Sequence, residues 1–446
     1  MERTQNSSVS VPRWLRSVSV QWQFMDFLQK LKLVWSDTSL RKRLLFIGAM
    51  LIVFRLLSAI PIPGIDIAQL TNFLSNNQFF GLLNIFSGGG LSNLSIVMLG
   101  VGPYITASII MQLLTMMSPK LKQMYQEEGE SGRAKFAQYS RLLSVPLALV
   151  QAFGFLVLLS RQGVLTDLGF FSTATNVIIV TAGSLLVMWI GEMMTEYGIG
   201  NGTSLIIFAG IVASLPRALA QLAFTFDPSQ VPLYLGFLVL AIIVVWGVVV
   251  VTEAERPIPV TYAKRVRGMK VYGGVSTYLP LRVNQAGVIP IIFALSIMLF
   301  PQMIATVLSV VDNAILHSIS TFLTSIFSNS WVYSGLYFIL VFLFTYFYTA
   351  VTFDPDTIST NLQKNGAFIP GVRPGASTAE YIASVVTRIT LVGATFLAFV
   401  AVLPLAMRGL TGNTSLAIGG TALLIVVSVV LDFIKKIDAQ VSMREY

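Results

Sequence analysis

The 446-residue chain contains no cysteine and a single histidine, His317. The first absence excludes disulfides and thiolate metal sites. The second leaves no histidine-based metal centre or catalytic triad. Neither His-Glu-x-x-His nor Gly-x-Ser-x-Gly occurs, so a membrane enzyme finds no nucleophile–base pair here. The expectation is a protein without enzymatic activity, cofactor or metal. Charge is scarce too: 11% of residues are Asp, Glu, Lys or Arg, against about 25% in an ordinary soluble chain. What is present is apolar, 55% hydrophobic with mean hydropathy +0.77. That is the composition of an all-α polytopic membrane protein.

Ten apolar runs can span a bilayer: 44–60, 94–117, 142–159, 177–194, 204–215, 231–251, 286–311, 331–353, 389–407 and 416–434. A span needs roughly 20 residues, so 204–215 is short and is expected to draw on the Gly-rich stretch before it. Alternating the loops places 25 of the 29 Lys and Arg on one side. Arg161, Arg217 and Arg408 fall on the other, and Arg55 lies inside the first span. This bias predicts both termini in the cytoplasm. The formal charge of +9 is therefore a matter of topology.

The predicted organisation is a basic, aromatic extension over 1–43, a first half over 44–216, a second half over 217–434 and a tail over 435–446. The extension contains no cleavable signal peptide pattern, and 22–35 suits an amphipathic surface helix. Two long cytoplasmic loops, 252–285 and 354–387, are basic and punctuated by Gly and Pro. Loops of such length without regular structure are usually functional or disordered. In the second, Arg373 stands between Gly371-Val372 and Pro374-Gly375, a constrained position for a presented contact.

Glycines organise the middle of each half. Ser-Gly-Gly-Gly at 87–90 and Gly-x-Gly-Pro at 100–103 interrupt text otherwise apolar enough for a bilayer. Irregular backbone at that depth survives only where protein covers it or it lines a wet cavity. The expectation is a half-inserted segment folding back, then a spanning helix that lines the same cavity. Gly100-Val-Gly-Pro-Tyr-Ile105 of span 2 is matched by Gly287-Val-Ile-Pro-Ile-Ile292 of span 7. Gly202-Thr-Ser-Leu-Ile-Ile207 of span 5 is matched by Gly420-Thr-Ala-Leu-Leu-Ile425 of span 10. Five spans per half is odd, so the halves are inverted, and such matches point to a site at mid-membrane. Ile105, Ile207, Ile292 and Ile425 then converge at its centre. A branched apolar constriction excludes water and ions by dewetting yet yields to something large. A secondary transporter is the competing reading, since inverted repeats alone allow one. It calls for acidic ligands inside the membrane, and the runs offer mainly Arg55, Glu192 and Glu253.

The ordered motifs resemble the SecY family of protein-translocation channels over most of the chain. They are Ile60-Pro-Ile-Pro-Gly-Ile-Asp66, Phe86-Ser-Gly-Gly, Gly102-Pro-Tyr-Ile105 and Glu128-Gly-Glu-Ser-Gly132, then Gly198-Ile-Gly-Asn-Gly202, Tyr262-Ala-Lys-Arg265 and the 366–375 loop. The resemblance implies ten transmembrane helices in two inverted pseudo-symmetric five-helix halves around an hourglass pore. It implies a pore ring at Val101, Ile105, Thr203, Ile207, Ile292 and Ile425. A short plug helix would lie at Ile85, Phe86, Ser87, Gly88, Gly89, Gly90, Leu91, Ser92, Asn93, Leu94 and Ser95. A lateral gate would run between spans 2–3 and 7–8, releasing signal peptides and membrane segments into lipid. Lys264, Arg265, Arg267 and Arg373 would form the docking surface for the ribosome and the SecA motor ATPase.

The family's partners would be the SecE and SecG subunits, nascent chains and membrane lipids, with SecDF and YidC as further candidates. Its location would be the bacterial cytoplasmic membrane. One position departs from the family pattern. Thr203 stands where an aliphatic residue is usual, and a hydroxyl in the constriction is expected to weaken the seal.

Overall fold

The computed structural model describes residues 36–63, 87–126, 128–161, 165, 169–224, 231–262, 265–267, 270–272, 276–308, 314–411 and 414–442. The expected surface helix at 22–35 lies outside them. The first half is built from α1 (Thr38–Leu57), α2 (Gly102–Met117), α3 (Pro119–Gln126), α4 (Gly129–Arg161), α5 (Phe170–Tyr197) and α6 (Gly202–Phe224). The second contains α7 (Val231–Glu253), α8 (Ile289–Leu308), α9 (Ala314–Ser328), α10 (Ser330–Thr352), α11 (Pro355–Lys364), α12 (Ala376–Thr411) and α13 (Thr414–Ser442). Each of the ten apolar runs falls on one of these helices, and α3, α9 and α11 are additions.

Local chemistry starts several helices where they begin. Asp37 caps α1, its Oδ1 accepting from the amides of Ser39 at 2.8 Å and Leu40 at 3.4 Å. Pro103 occupies the first turn of α2, where its missing N–H costs nothing. The fifth span was expected to extend backwards into the Gly-rich stretch. It takes only Gly202 and Thr203 from that stretch, and α6 gains most of its length by running on to Phe224, with Pro216 inside it. Residues 217–224 are rich in Ala and Leu, which propagate helix past the proline.

Among the described residues, five helical stretches contain a window long and apolar enough to cross a membrane: Gly129–Ser160, Phe170–Tyr197, Tyr234–Glu253, Trp331–Lys364 and Ala376–Ala406. Helix α7 shows why composition suffices there. Leu235, Leu238, Val239, Ile242, Ile243 and Trp246 are all exposed along it, an outward apolar surface suited to lipid tails. The other spans are shorter or carry charge, and α1 still exposes Leu45, Ile52 and Leu56. Between the halves, α8 packs on α2 and α4, while α13 packs on α6. One buried apolar cluster runs through both halves, joining Ile47 and Phe54 of α1 to Leu424 and Ile425 of α13.

The two long loops are not irregular. Strand β1 (Glu255–Tyr262) pairs antiparallel with β4 (Ser276–Arg282), Ile258 opposite Leu279. Its other edge takes β5 (Ala367–Phe368) from the second loop, Thr261 opposite Phe368. Between β1 and β4, β2 (Arg265–Arg267) pairs with β3 (Lys270–Tyr272). The prolines that hid these strands are at Pro257 and Pro259, where β1 has only one neighbour and a missing donor is tolerated. Ile258, Val260, Leu281, Ala367, Ile369, Ile382 and Val386 form a small core of their own beneath the sheet.

Candidate functional site

The Gly-rich segment after span 1 is sewn to the end of that span. The Ile62 amide donates to the Leu94 carbonyl at 2.9 Å, and the Ile96 amide to the Ile60 carbonyl at 3.0 Å. Pro61 and Ser95 form the bridge between them. The amide nitrogen of Asn93 reaches the Ser58 carbonyl at 3.4 Å. Within the segment, Ser87 Oγ accepts from the Leu91 amide at 3.0 Å, and Ser95 Oγ donates to the Gly90 carbonyl at 3.0 Å. These bonds satisfy backbone that has no helix to satisfy it. Ser87, Gly88, Gly89, Gly90, Leu91, Leu94 and Ser95 are buried and Asn93 half-buried. Ile85, Phe86 and the Ser92 side chain lie outside the described residues.

The expected plug helix is absent from residues 87–95: the only helical turn there is a 3₁₀ turn at Leu91–Asn93. Gly88 at φ +64° and Gly89 at φ +84° turn the chain left-handed before it, and Leu94 at φ +41° ends it. The turn is also clamped from two sides. A Cβ on Gly88 would stand 2.5 Å from the Phe54 ring of α1, and a Cβ on Gly210 of α6 would overlap the Gly88 backbone.

Above the turn the chain enters α2 through a geometry that the second half repeats. Gly100 has φ +54° and Gly287 has φ +61°. Four residues after each repeat's Val, an Ile amide closes the first helical turn, Ile105 on Val101 at 3.0 Å and Ile292 on Val288 at 3.2 Å. Ser184 of α5 donates to the Gly100 carbonyl at 2.8 Å and anchors the entry. Val101, Ile105, Ile207, Ile292 and Ile425, from α2, α6, α8 and α13, are all buried in the single cluster that joins the halves. Thr203 is half-buried. Its hydroxyl donates to Asn201 Oδ1 at 2.6 Å, and that oxygen also accepts from the amides of Thr203 and Ser204. The hydroxyl is spent on the start of α6, while the Thr203 methyl lies toward Gly191 of α5.

The acidic residues of the spans are paired at helix ends. Glu192 of α5 meets Arg141 of α4 at 2.6 Å, and Glu253 of α7 meets Lys435 of α13 at 2.8 Å. Among the described residues, no three His, Asp or Glu come together as a metal could use them.

On the basic side, Lys264 lies outside the described residues, and Arg265 and Arg267 are described only as backbone of β2. Arg373 is exposed on a tight loop. Gly371 at φ +84° and Gly375 at φ +101° shape the loop, and the Thr378 hydroxyl donates to the Arg373 carbonyl at 2.8 Å. The Ser359 hydroxyl of α11 donates to the Gly375 carbonyl at 2.6 Å. Sequence reasoning passed over Phe54 and Gly210, and took Asn201 only as part of the Gly198–Gly202 motif. Gly210 carried a signal as a glycine that weakens the middle of a helix without a local reason, and Asn201 as a residue type that caps helix starts.

Comparison with known proteins gives a consistent picture. The family model for SecY matches residues 95–434. The protein translocase subunit SecY of Corynebacterium glutamicum is 43% identical over 434 residues, 92% of this chain and 97% of that protein. A solved SecY whose plug domain is described as stabilising the closed translocation channel and maintaining a membrane seal has a TM-score of 0.60 at 20% identity, over 89% of this chain and 91% of its own. Sec61 in a canine ribosome–channel complex from the endoplasmic reticulum has a TM-score of 0.57 at 19% identity, over 89% and 91% respectively.

Proposed function

The chain belongs to the SecY family of protein-translocation channels, and on that premise we propose how its own residues do the work. It is a multi-pass membrane protein that conducts unfolded secretory proteins and releases membrane segments sideways. Val101, Ile105, Ile207, Ile292 and Ile425 form the constriction, with Thr203 at its edge, and 85–95 is the plug. The observation that carries this reading is the burial of those five aliphatic side chains, drawn from both halves, in one cluster beside the clamped turn. An apolar ring of this kind repels a hydrated ion, which loses its water shell with nothing in return. An extended polypeptide can push the same side chains aside, because dispersion contacts have no fixed partners.

The seam between α2 and α4 on one side and α8 and α10 on the other is the proposed lateral gate, where α8 packs on α2 and α4 and joins the halves without a covalent link. Lys264, Arg265, Arg267 and Arg373 are the proposed docking residues for an acidic motor or ribosome surface, and Arg373 is exposed on its loop. The proposed setting is the bacterial cytoplasmic membrane, with SecE and SecG as accompanying subunits and energy supplied by SecA or the ribosome. A solute transporter is disfavoured by the pairing of Glu192 and Glu253 at helix ends.

The test is reconstitution of the full chain with its membrane subunits into vesicles, together with motor ATPase, ATP and a secretory precursor. The expected result is ATP-dependent protection of the precursor from added protease, lost when the signal peptide is removed. Uptake of a small solute with no protection of the precursor would overturn the reading.

A further inference from the structure

Arg55 lies in the last turn of α1. It is 12 residues beyond Arg43, so its Cα lies roughly 18 Å further along the helix axis. A guanidinium at such depth is costly unless its five donors find acceptors. It is half-buried, and Nη1 stands 3.3 Å from the point a Cβ on Gly89 would occupy. The adjacent Phe54 is 1% exposed and supports Gly88 in the same way. Two neighbouring side chains of span 1 thus grip two neighbouring left-handed glycines, with Gly210 backing them from α6. Glycine at 89 leaves the backbone bare toward the guanidinium, and its φ of +84° discourages any side chain there.

We propose that Arg55 is the positioning residue of the plug, its guanidinium docked on the backbone of the 87–90 turn to hold the channel shut. The inference rests on the reading of 85–95 as the plug. The physical logic is directional. In the dry resting channel, moving the turn strips a charged donor group of acceptors that nothing replaces. Once a translocating chain has hydrated the pore, water replaces them, and the latch opens at little cost.

The experiment is single-channel conductance of the full chain in its membrane complex, in planar bilayers, with Gly89→Ala in the otherwise intact chain and with Arg55→Gln and Arg55→Lys, each of these two with and without deletion of 85–95. Arg55→Gln should raise resting open frequency about tenfold, as loss of one charged hydrogen-bonding group implies. Arg55→Lys should fall between, since it keeps charge but not the planar fork. Gly89→Ala keeps Arg55 but crowds its tip and strains the turn at φ +84°, and should leak likewise if Arg55→Gln fails to reach the membrane. In the 85–95 deletion neither Arg55 substitution should add to the leak. Wild-type tightness of both Arg55→Gln and Gly89→Ala would overturn the latch. An equal increase from Arg55→Gln in the deleted channel would overturn it too. A deletion that itself leaks no more than the parent would instead overturn the plug reading.

Discussion

Arg373 and Thr203 show how much a single side chain's surroundings decide. Arg373 is exposed, but the backbone beneath it is held by Thr378 and Ser359, so an incoming partner meets a guanidinium whose base does not have to be ordered first. Arg373→Glu should therefore lower motor-driven translocation by about tenfold or more, with membrane level and folding unchanged. Precursor protection in vesicles measures it, and a parental rate would remove Arg373 from the docking surface. Thr203 runs the other way. Its hydroxyl is committed to Asn201 at 2.6 Å, so water in the constriction gains no free donor from it. Thr203→Val, nearly the same shape, should change resting conductance by less than about twofold. A large fall in leak would return the hydroxyl to the pore.

At the scale of elements, ion pairs and caps decide which helices move together. Arg141 and Glu192 tie α4 to α5, with the Glu192 side chain 17% exposed and that of Arg141 47%. A double-mutant cycle of Arg141→Ala and Glu192→Ala, read by thermal unfolding in detergent, should give a coupling of about 0.5–1 kcal/mol. Additive losses would mean that the pair does not join the helices. Helix α11, which braces the Arg373 loop through Ser359, depends on Asp354 at its start. Burial pushes the Asp354 carboxyl up. Hydrogen bonds from the Thr357 hydroxyl and the amides of Thr357 and Asp356 outweigh this, aided by nearby Lys122, and hold it below its ordinary value. A depressed carboxylate stabilises the fold above its unfolded pKa, and that contribution is lost as pH falls through the lower, folded one. Hydrogen exchange over 356–358, corrected for intrinsic rate, should accelerate on acidification below the usual Asp range. Asp354→Ala should show the fast behaviour already at pH 7, a cap loss of about 0.5–2 kcal/mol.

For the whole molecule, the decisive property is which side faces the cytoplasm. The chain has no cysteine, so one introduced thiol reports its own side without background. Ser318 on α9 and Gln363 on α11 are both exposed, and the loop charges place them on opposite sides. In intact cells an impermeant maleimide should label Ser318→Cys and leave Gln363→Cys untouched, and inverted vesicles should reverse the pattern. Labelling of both from one side would break the ten-span topology. Helix α9 itself was not foreseen. Its exposed Ile315, Ile319 and Phe322 follow helical spacing, yet a 15-residue run between two spans is too short to be told from a loop by hydropathy.

Hydropathy and charge determined the ten spans, because a bilayer demands long apolar helices and leaves few alternatives. Repeated glycines determined where the helices begin in the centre of each half, because only glycine enters the left-handed region without strain. The isoleucines at 105, 207, 292 and 425 were legible through the repeat, and each is buried in the cluster between the halves. What local text could not carry were contacts between distant stretches. The pairing of β1 with β5 joins residues more than a hundred apart, and the prolines at 257 and 259 argued against a strand until its free edge was known. The 87–90 turn likewise takes its form from Phe54, Arg55 and Gly210 closing on it from two helices. Thr203 is polar by composition, but only Asn201's position shows where its hydrogen bond goes. Solvent preference is written residue by residue, whereas steric fit and hydrogen-bond partnership exist only once the chain has folded back on itself.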